Sequence, residues 1–337
     1  WAARHALRAL DDYIKRDNVN LDDLFEIGKV LYSFAGHTYG LTEYLGPLMV
    51  MYNPKLFEAA GVAPPPSDYK DPSWTLDALV EKAKALTKIP SSGPAEQYGL
   101  FVATDIYRWA PIMWDFGGDF TDNPETPTKI TFDSAGTRQA AQWVADLMLK
   151  HKVMATVLES QSIPFTPQFE TGRLAMLIEG PWEWPLFMDP NVRSKVPWEV
   201  AAMPHGPAGT FTRLAGNAYG MSSQTKSPDM AWELLKFNTI GDGQSVNWTA
   251  QLAKGIPALK SMAADARFGT WFSAPSKKAV TDLPPYSRIF PIHPNWAEVV
   301  SKVNPEFDQV WIGKRAADAA VQSAQQKMAQ ALAQATQ

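Results

Sequence analysis

Two carboxylates, Glu179 and Glu183, flank the run Gly180-Pro181-Trp182, and a second pair, Asp115 and Asp119, flanks Gly117-Gly118. Paired acids beside tryptophan suit glycoside hydrolysis, in which one acid protonates the leaving oxygen and the other acts as base or nucleophile. The same groups suit a site that only binds. Carboxylates accept hydrogen bonds from sugar hydroxyls while an indole covers the apolar face of the ring. Sequence spacing does not set the separation of two acids across a bond, so both uses stay open. Trp182 follows an apolar run and a Gly-Pro bend, which predicts a ring projecting from a strand end, where α/β folds place ligands. Trp184, two residues on, is a second candidate platform.

Other chemistries find less support. The five histidines (His5, His37, His151, His205, His293) stand singly, without the i, i+4 pairing of a helical zinc site, so no metal is expected. Cysteine is absent, which removes disulfides, thiolate metal sites and thiol nucleophiles together. There is no serine-hydrolase elbow, phosphate-cradling loop or dinucleotide fingerprint, and no cofactor is expected. Gly241-Asp242-Gly243 reads as an ordinary turn. The 31 Lys and Arg against 35 Asp and Glu give a net charge of −4, without the basic stripe of a nucleic-acid binder. Tryptophan is abundant: 13 against 10 tyrosines, most of them expected in packing roles.

The 337 residues suggest two domains at roughly 150 residues each. Helical spacing predicts helices over 75–88, from an Asp133 cap to about His151, from Ser227-Pro228 with Met230, Leu234 and Phe237, and from about Gly313 to Thr336. Apolar runs bounded by Gly and Pro predict strands at 48–52, 98–102, 174–178, 199–203 and 218–221. Strands alternating with helices imply an α/β fold with largely parallel sheets.

The segment from Gly172 through Leu174, Ala175, Met176, Gly180, Pro181 and Trp182 resembles the "G-x-x-A-M-x-x-x-G-P-W" segment of extracellular solute-binding proteins of ABC sugar importers, the maltose-binding-protein-like group. Further pieces resemble that family in its own order: Tyr39-Gly40-Leu41, Tyr52-Asn53, Leu56 to Gly61, Trp74 with its helix, Gly117-Gly118, Gly216 with 231–237, and Gly255 to Ala258. The family's export signal and opening strand–helix–strand are expected to be missing, the opening Trp1-Ala2-Ala3-Arg4 reading as a processed or truncated end.

The resemblance implies a two-lobed α/β fold of the type II periplasmic-binding-protein kind, each lobe a mainly parallel sheet flanked by helices. Residues 1–45 and 217–268 would form lobe I, and residues 46–216 and 269–337 lobe II. It implies a periplasmic or lipid-tethered, non-enzymatic monomer that closes on a mono- or oligosaccharide and docks on the importer's membrane permease subunits. Besides Trp182, Trp184 and Glu183, the ligand residues implied are Tyr107 for stacking, Arg108 for donating to hydroxyls, Trp114, Asp115, Glu43, Tyr44, Asn217, Tyr219, Trp296 and, more weakly, Arg288. Gly216 would let the backbone approach the ligand or flex. The alternatives are a glycoside hydrolase using Glu179 and Glu183, and a binding protein for a glycerol phosphate ester, which would need cations in the cleft.

Overall fold

A computed structural model describes residues 1–240 and 255–334 of the chain. The Gly241–Gly243 turn and the predicted helix end at Thr336 lie outside these residues. The strands are β1 (Leu7–Arg8), β2 (Ser33–Phe34), β3 (His37–Thr38), β4 (Gly40–Pro47), β5 (Met49–Tyr52), β6 (Tyr98–Val102), β7 (Leu174–Glu179), β8 (Glu199–Ala201), β9 (Thr212–Ser222), β10 (Ile256–Pro257) and β11 (Ser287–Arg288).

They form two main sheets, with β2 and β3 a separate small hairpin. One sheet runs β1-β9-β4-β10, with β11 joined to β9; the other runs β6-β7-β5-β8. The chain leaves the first sheet after Pro47, returns to it at Thr212 and leaves again after Pro257. It touches the first sheet once more where β11 pairs with β9, so among the described residues the chain passes repeatedly between the two sheets.

The strand directions correct the expectation of mainly parallel sheets. Among the described strands only β6 on β7 and β11 on β9 are parallel; β5 is antiparallel to both β7 and β8, and β9 is antiparallel to β1 and β4. The misreading has a physical cause. Strands covered on both faces carry continuous apolar runs, the pattern of parallel sheets, and β7 is buried at all six positions whatever its neighbours' directions.

Caps fix the helices that matter to the site. Asp105 caps the helix Ile106–Asp115 by accepting from the Tyr107 N–H, which sets Tyr107 and Arg108 in the first turn. Thr75 caps Leu76–Leu86 in the same way through the Ala78 N–H. The helix predicted from an Asp133 cap is instead capped by Ser134 and covers Ala135–Leu149, because the Asp133 carboxylate is drawn to Arg138. The helix Pro228–Thr239 buries Trp232 and Leu235, whereas Met230, Leu234 and Phe237 point outward. The core is rich in indoles. Trp74, Trp109, Trp114, Trp184, Trp198 and Trp232 are all fully buried.

Candidate functional site

The strand β7 ends at Glu179, Gly180 continues in extended conformation, and Pro181 opens a single 3-10 turn ending at Glu183. That turn lifts Trp182 out of the sheet. The indole folds back over Gly180 so closely that a Cβ there would stand 2.1 Å from the ring, which only glycine permits. The ring also reaches the point where the chain passes between sheets. A Cβ on Gly46 would lie 3.5 Å from both the Trp182 and the Tyr44 rings, so residues from the two bodies meet across that strand. Arg108 completes the group, its guanidinium carbon 5.4 Å from the centre of the Trp182 ring.

Around the indole the charges are interlocked. Glu179, 2% exposed, accepts from the Gly180 N–H at 3.0 Å and from Arg108 Nε at 3.4 Å. Burial raises the Glu179 pKa, against the opposing pull of Arg108 and the Gly180 N–H. Burial also raises the pKa of Glu183, again opposed by Arg108. Arg108 reaches Asp105 at 3.4 Å. Burial disfavours its charge, but Glu179 and Asp105 more than offset this and hold its pKa above the usual guanidinium value. These ion-pair contacts are long for charge-assisted hydrogen bonds, which are typically about 2.7–2.9 Å, so the guanidinium is only loosely held.

Other predicted residues lie close by. Tyr107 stacks on Phe290 with ring centres 5.1 Å apart. Tyr44 sits opposite Asn217 in the β4–β9 ladder, and Glu43 is the extra residue where the register shifts between Thr42 and Tyr44. Such a bulge re-aims side chains next to sites. Gly216 allows a close approach: a Cβ there would stand 2.7 Å from the Tyr44 carbonyl, and its own carbonyl accepts from the Tyr32 hydroxyl at 2.5 Å. Asn217 and Tyr219 lie exposed farther along β9.

Several expected contacts are corrected. Trp184 is fully buried, edge-on to Phe272 and near Trp198, because the helix that follows the turn directs it inward. Asp115 is fully buried; one oxygen accepts from the Phe211 N–H at 2.7 Å and the other has no partner. Trp114, 1% exposed, donates to Asp119, which also takes Arg288 at 2.6 Å. Trp296 packs edge-on against Phe120 and keeps 9% of its surface. Trp114 and Trp296 pack with Phe120 in the group behind Tyr107 and Phe290, Trp184 packs beside Trp198 and Phe272, and Arg288 pairs with Asp119.

Sequence reasoning missed Arg213. It lies on β9 beside Arg288 of β11, with its guanidinium carbon 5.1 Å from the Tyr107 ring centre and 5.3 Å from that of Phe290. A lone arginine in an alternating strand reads as the solvent side, so no local signal singles it out. Cavities among the described residues lie elsewhere between the bodies, including one of about 900 Å³ lined by Phe25, Tyr69, Lys260 and Tyr286, one of about 470 Å³ lined by Lys29, Phe34, Glu125 and Ile292, and one of about 460 Å³ lined by Tyr32, Gly40, Ala218 and His293. None of these reaches Trp182. A sugar ring stacking where Arg108 now lies must displace that guanidinium.

A sequence model described as bacterial extracellular solute-binding protein matches residues 1–239. A binding protein of Brucella abortus (strain 2308) is 26% identical over 304 residues, covering 87% of this chain and 67% of its own length. Among solved structures, an ABC substrate-binding protein from Listeria monocytogenes in complex with cycloalternan superposes with a TM-score of 0.85 at 20% identity, over 98% of this chain and 81% of that one. A solute-binding protein from Thermotoga lettingae bound with α-D-tagatose gives 0.81 at 19% identity, over 98% and 81%. The fold is therefore the two-lobed α/β fold of those structures.

Proposed function

Because the chain belongs to the bacterial extracellular solute-binding proteins, we propose that it captures a mono- or oligosaccharide between two lobes and delivers it to the membrane permease subunits of an ABC importer. The observation that carries this reading is the position of Trp182. Its ring stands where β4 passes between the sheets, shares Gly46 with Tyr44, and carries over it the Arg108 guanidinium, which is paired with Glu179. An indole face with a polar, charged group beside it matches the apolar face and hydroxyl rim of a sugar. The Listeria and Thermotoga proteins are described with carbohydrate ligands, which supports the same class here.

Residues 1–45 and 217–268 constitute lobe I and residues 46–216 and 269–337 lobe II. The ligand binds the closed arrangement better than the open one, since only that difference reports occupancy to the permease. The protein acts outside the cytoplasm, as a monomer, and breaks no bond. Among the described residues no helix is long and apolar enough to cross a membrane. Hydrolysis by Glu179 and Glu183 is the weaker reading: Glu179 offers almost no surface to a glycosidic oxygen and is already engaged by Arg108 and Gly180.

Calorimetric titration with a panel of neutral and acidic mono- and oligosaccharides tests the proposal. Saturable binding of at least one, with the sugar recovered intact, is expected. A panel without binding, or recovery of cleaved sugar, would overturn it.

A further inference from the structure

The saccharide reading leaves one group unexplained. Arg213 is largely withdrawn from water, and burial together with the neighbouring Arg108 charge depresses its pKa. Yet among the described residues no carboxylate pairs with it and no acceptor takes its side-chain N–H groups. The other two arginines of this neighbourhood are provided for: Arg288 holds Asp119, and Arg108 holds Glu179 and Asp105. Arg213 has only the rings of Tyr107 and Phe290. Those contacts engage its positive charge but none of its five N–H donors.

The donors are not sealed. Unlike the indole nitrogen of Trp182, no Arg213 nitrogen is both buried and unpartnered, so they keep contact with solvent. Position adds to this. The Arg213 carbonyl accepts from the Leu48 N–H at 3.1 Å, where the chain passes from β4 to β5, while its guanidinium lies over Tyr107 of the other body, so it stands where the two bodies meet. A desolvated cation with open donors between two bodies is a poor resting state and a good receptor for an oxyanion, because a planar guanidinium matches a carboxylate in a two-pronged pair.

Resting on the saccharide reading, we propose that Arg213 determines specificity for an acidic saccharide, pairing with a ring carboxylate of the sugar while a ring of the ligand lies on Trp182. A monoanion suits the surroundings better than a phosphate dianion, because Glu179, Glu183 and Asp105 stand in the same region and repel added negative charge.

The test is calorimetric titration of wild type, Arg213→Gln and Arg213→Lys with digalacturonate, with its neutral galactose disaccharide counterpart and with glucose 1-phosphate. Thermal melts establish first that each variant is folded. Digalacturonate is expected to bind wild type about 100-fold more tightly than the neutral disaccharide, a preference that weakens as salt rises. The ratio of acidic to neutral affinity should fall at least about tenfold in Arg213→Gln and less in Arg213→Lys. Equal affinity for the acidic and neutral sugars, or a preference that survives in Arg213→Gln, overturns the inference while the saccharide reading stands. Tighter binding of glucose 1-phosphate overturns the carboxylate assignment. Binding of none of the three, together with a silent saccharide panel, overturns both.

Discussion

Trp182 and Trp184 are two residues apart and identical in type, yet they have opposite environments. The Gly-Pro corner that makes Trp182 legible in the sequence is a local feature, because the turn breaks the strand and throws the next side chain outward. Whether Trp184 turns in or out depends on Trp198 and Phe272, residues brought beside it only by the fold. Truncating Trp184 to alanine should therefore cost about 3–5 kcal/mol of stability in urea unfolding, as expected for an emptied aromatic site. Asp115 makes a pH prediction. Burial lifts its folded pKa well above the unfolded value of 3.8, partly opposed by the Phe211 N–H. The native state thus holds this proton more tightly, and the group's contribution to stability declines as pH rises above the unfolded value. Asp115→Asn keeps an acceptor for Phe211 and carries no charge. Its melting temperature relative to wild type should climb between about pH 4 and pH 7, and a constant difference would refute the buried-acid assignment.

Among the elements, those with strong local signals were legible. Apolar spacing located the helix Leu76–Leu86, expected over 75–88, and the apolar run located β6 at Tyr98–Val102. Strand direction was not, because burial on both faces hides it. The outward face of Pro228–Thr239 was also misjudged: Met230, Leu234 and Phe237 recur at helical spacing, but Trp232 and Leu235 on another face meet Leu41 and Met221 of the sheet. Arg213 escaped notice for a related reason, its role arising from Tyr107 and Phe290, far away in sequence. The corner before Trp182 can be probed directly. Gly180 has φ −98° and ψ 171°, which alanine adopts without strain, so its missing Cβ serves only to admit the indole. Gly180→Ala should displace the ring and weaken saccharide binding about tenfold, with far less effect on the melting temperature than Trp184→Ala. Unchanged binding would show that the ring position is immaterial.

At the scale of the whole molecule, the two sheets are joined by repeated chain crossings, and hinge closure around a ligand is the motion that the proposed function requires. This level was legible through the order of family-like segments along the chain, because topology is carried by where short motifs fall. Saturating saccharide should reduce the radius of gyration measured by small-angle X-ray scattering, and an identical profile with and without bound sugar would argue against closure. The most direct measurement is the affinity of Trp182→Ala, alongside Trp182→Phe, for the tightest-binding saccharide of the panel. Loss of about 10- to 100-fold in the alanine variant, partly restored by phenylalanine, is the predicted result. Wild-type affinity in a folded Trp182→Ala protein would contradict the account.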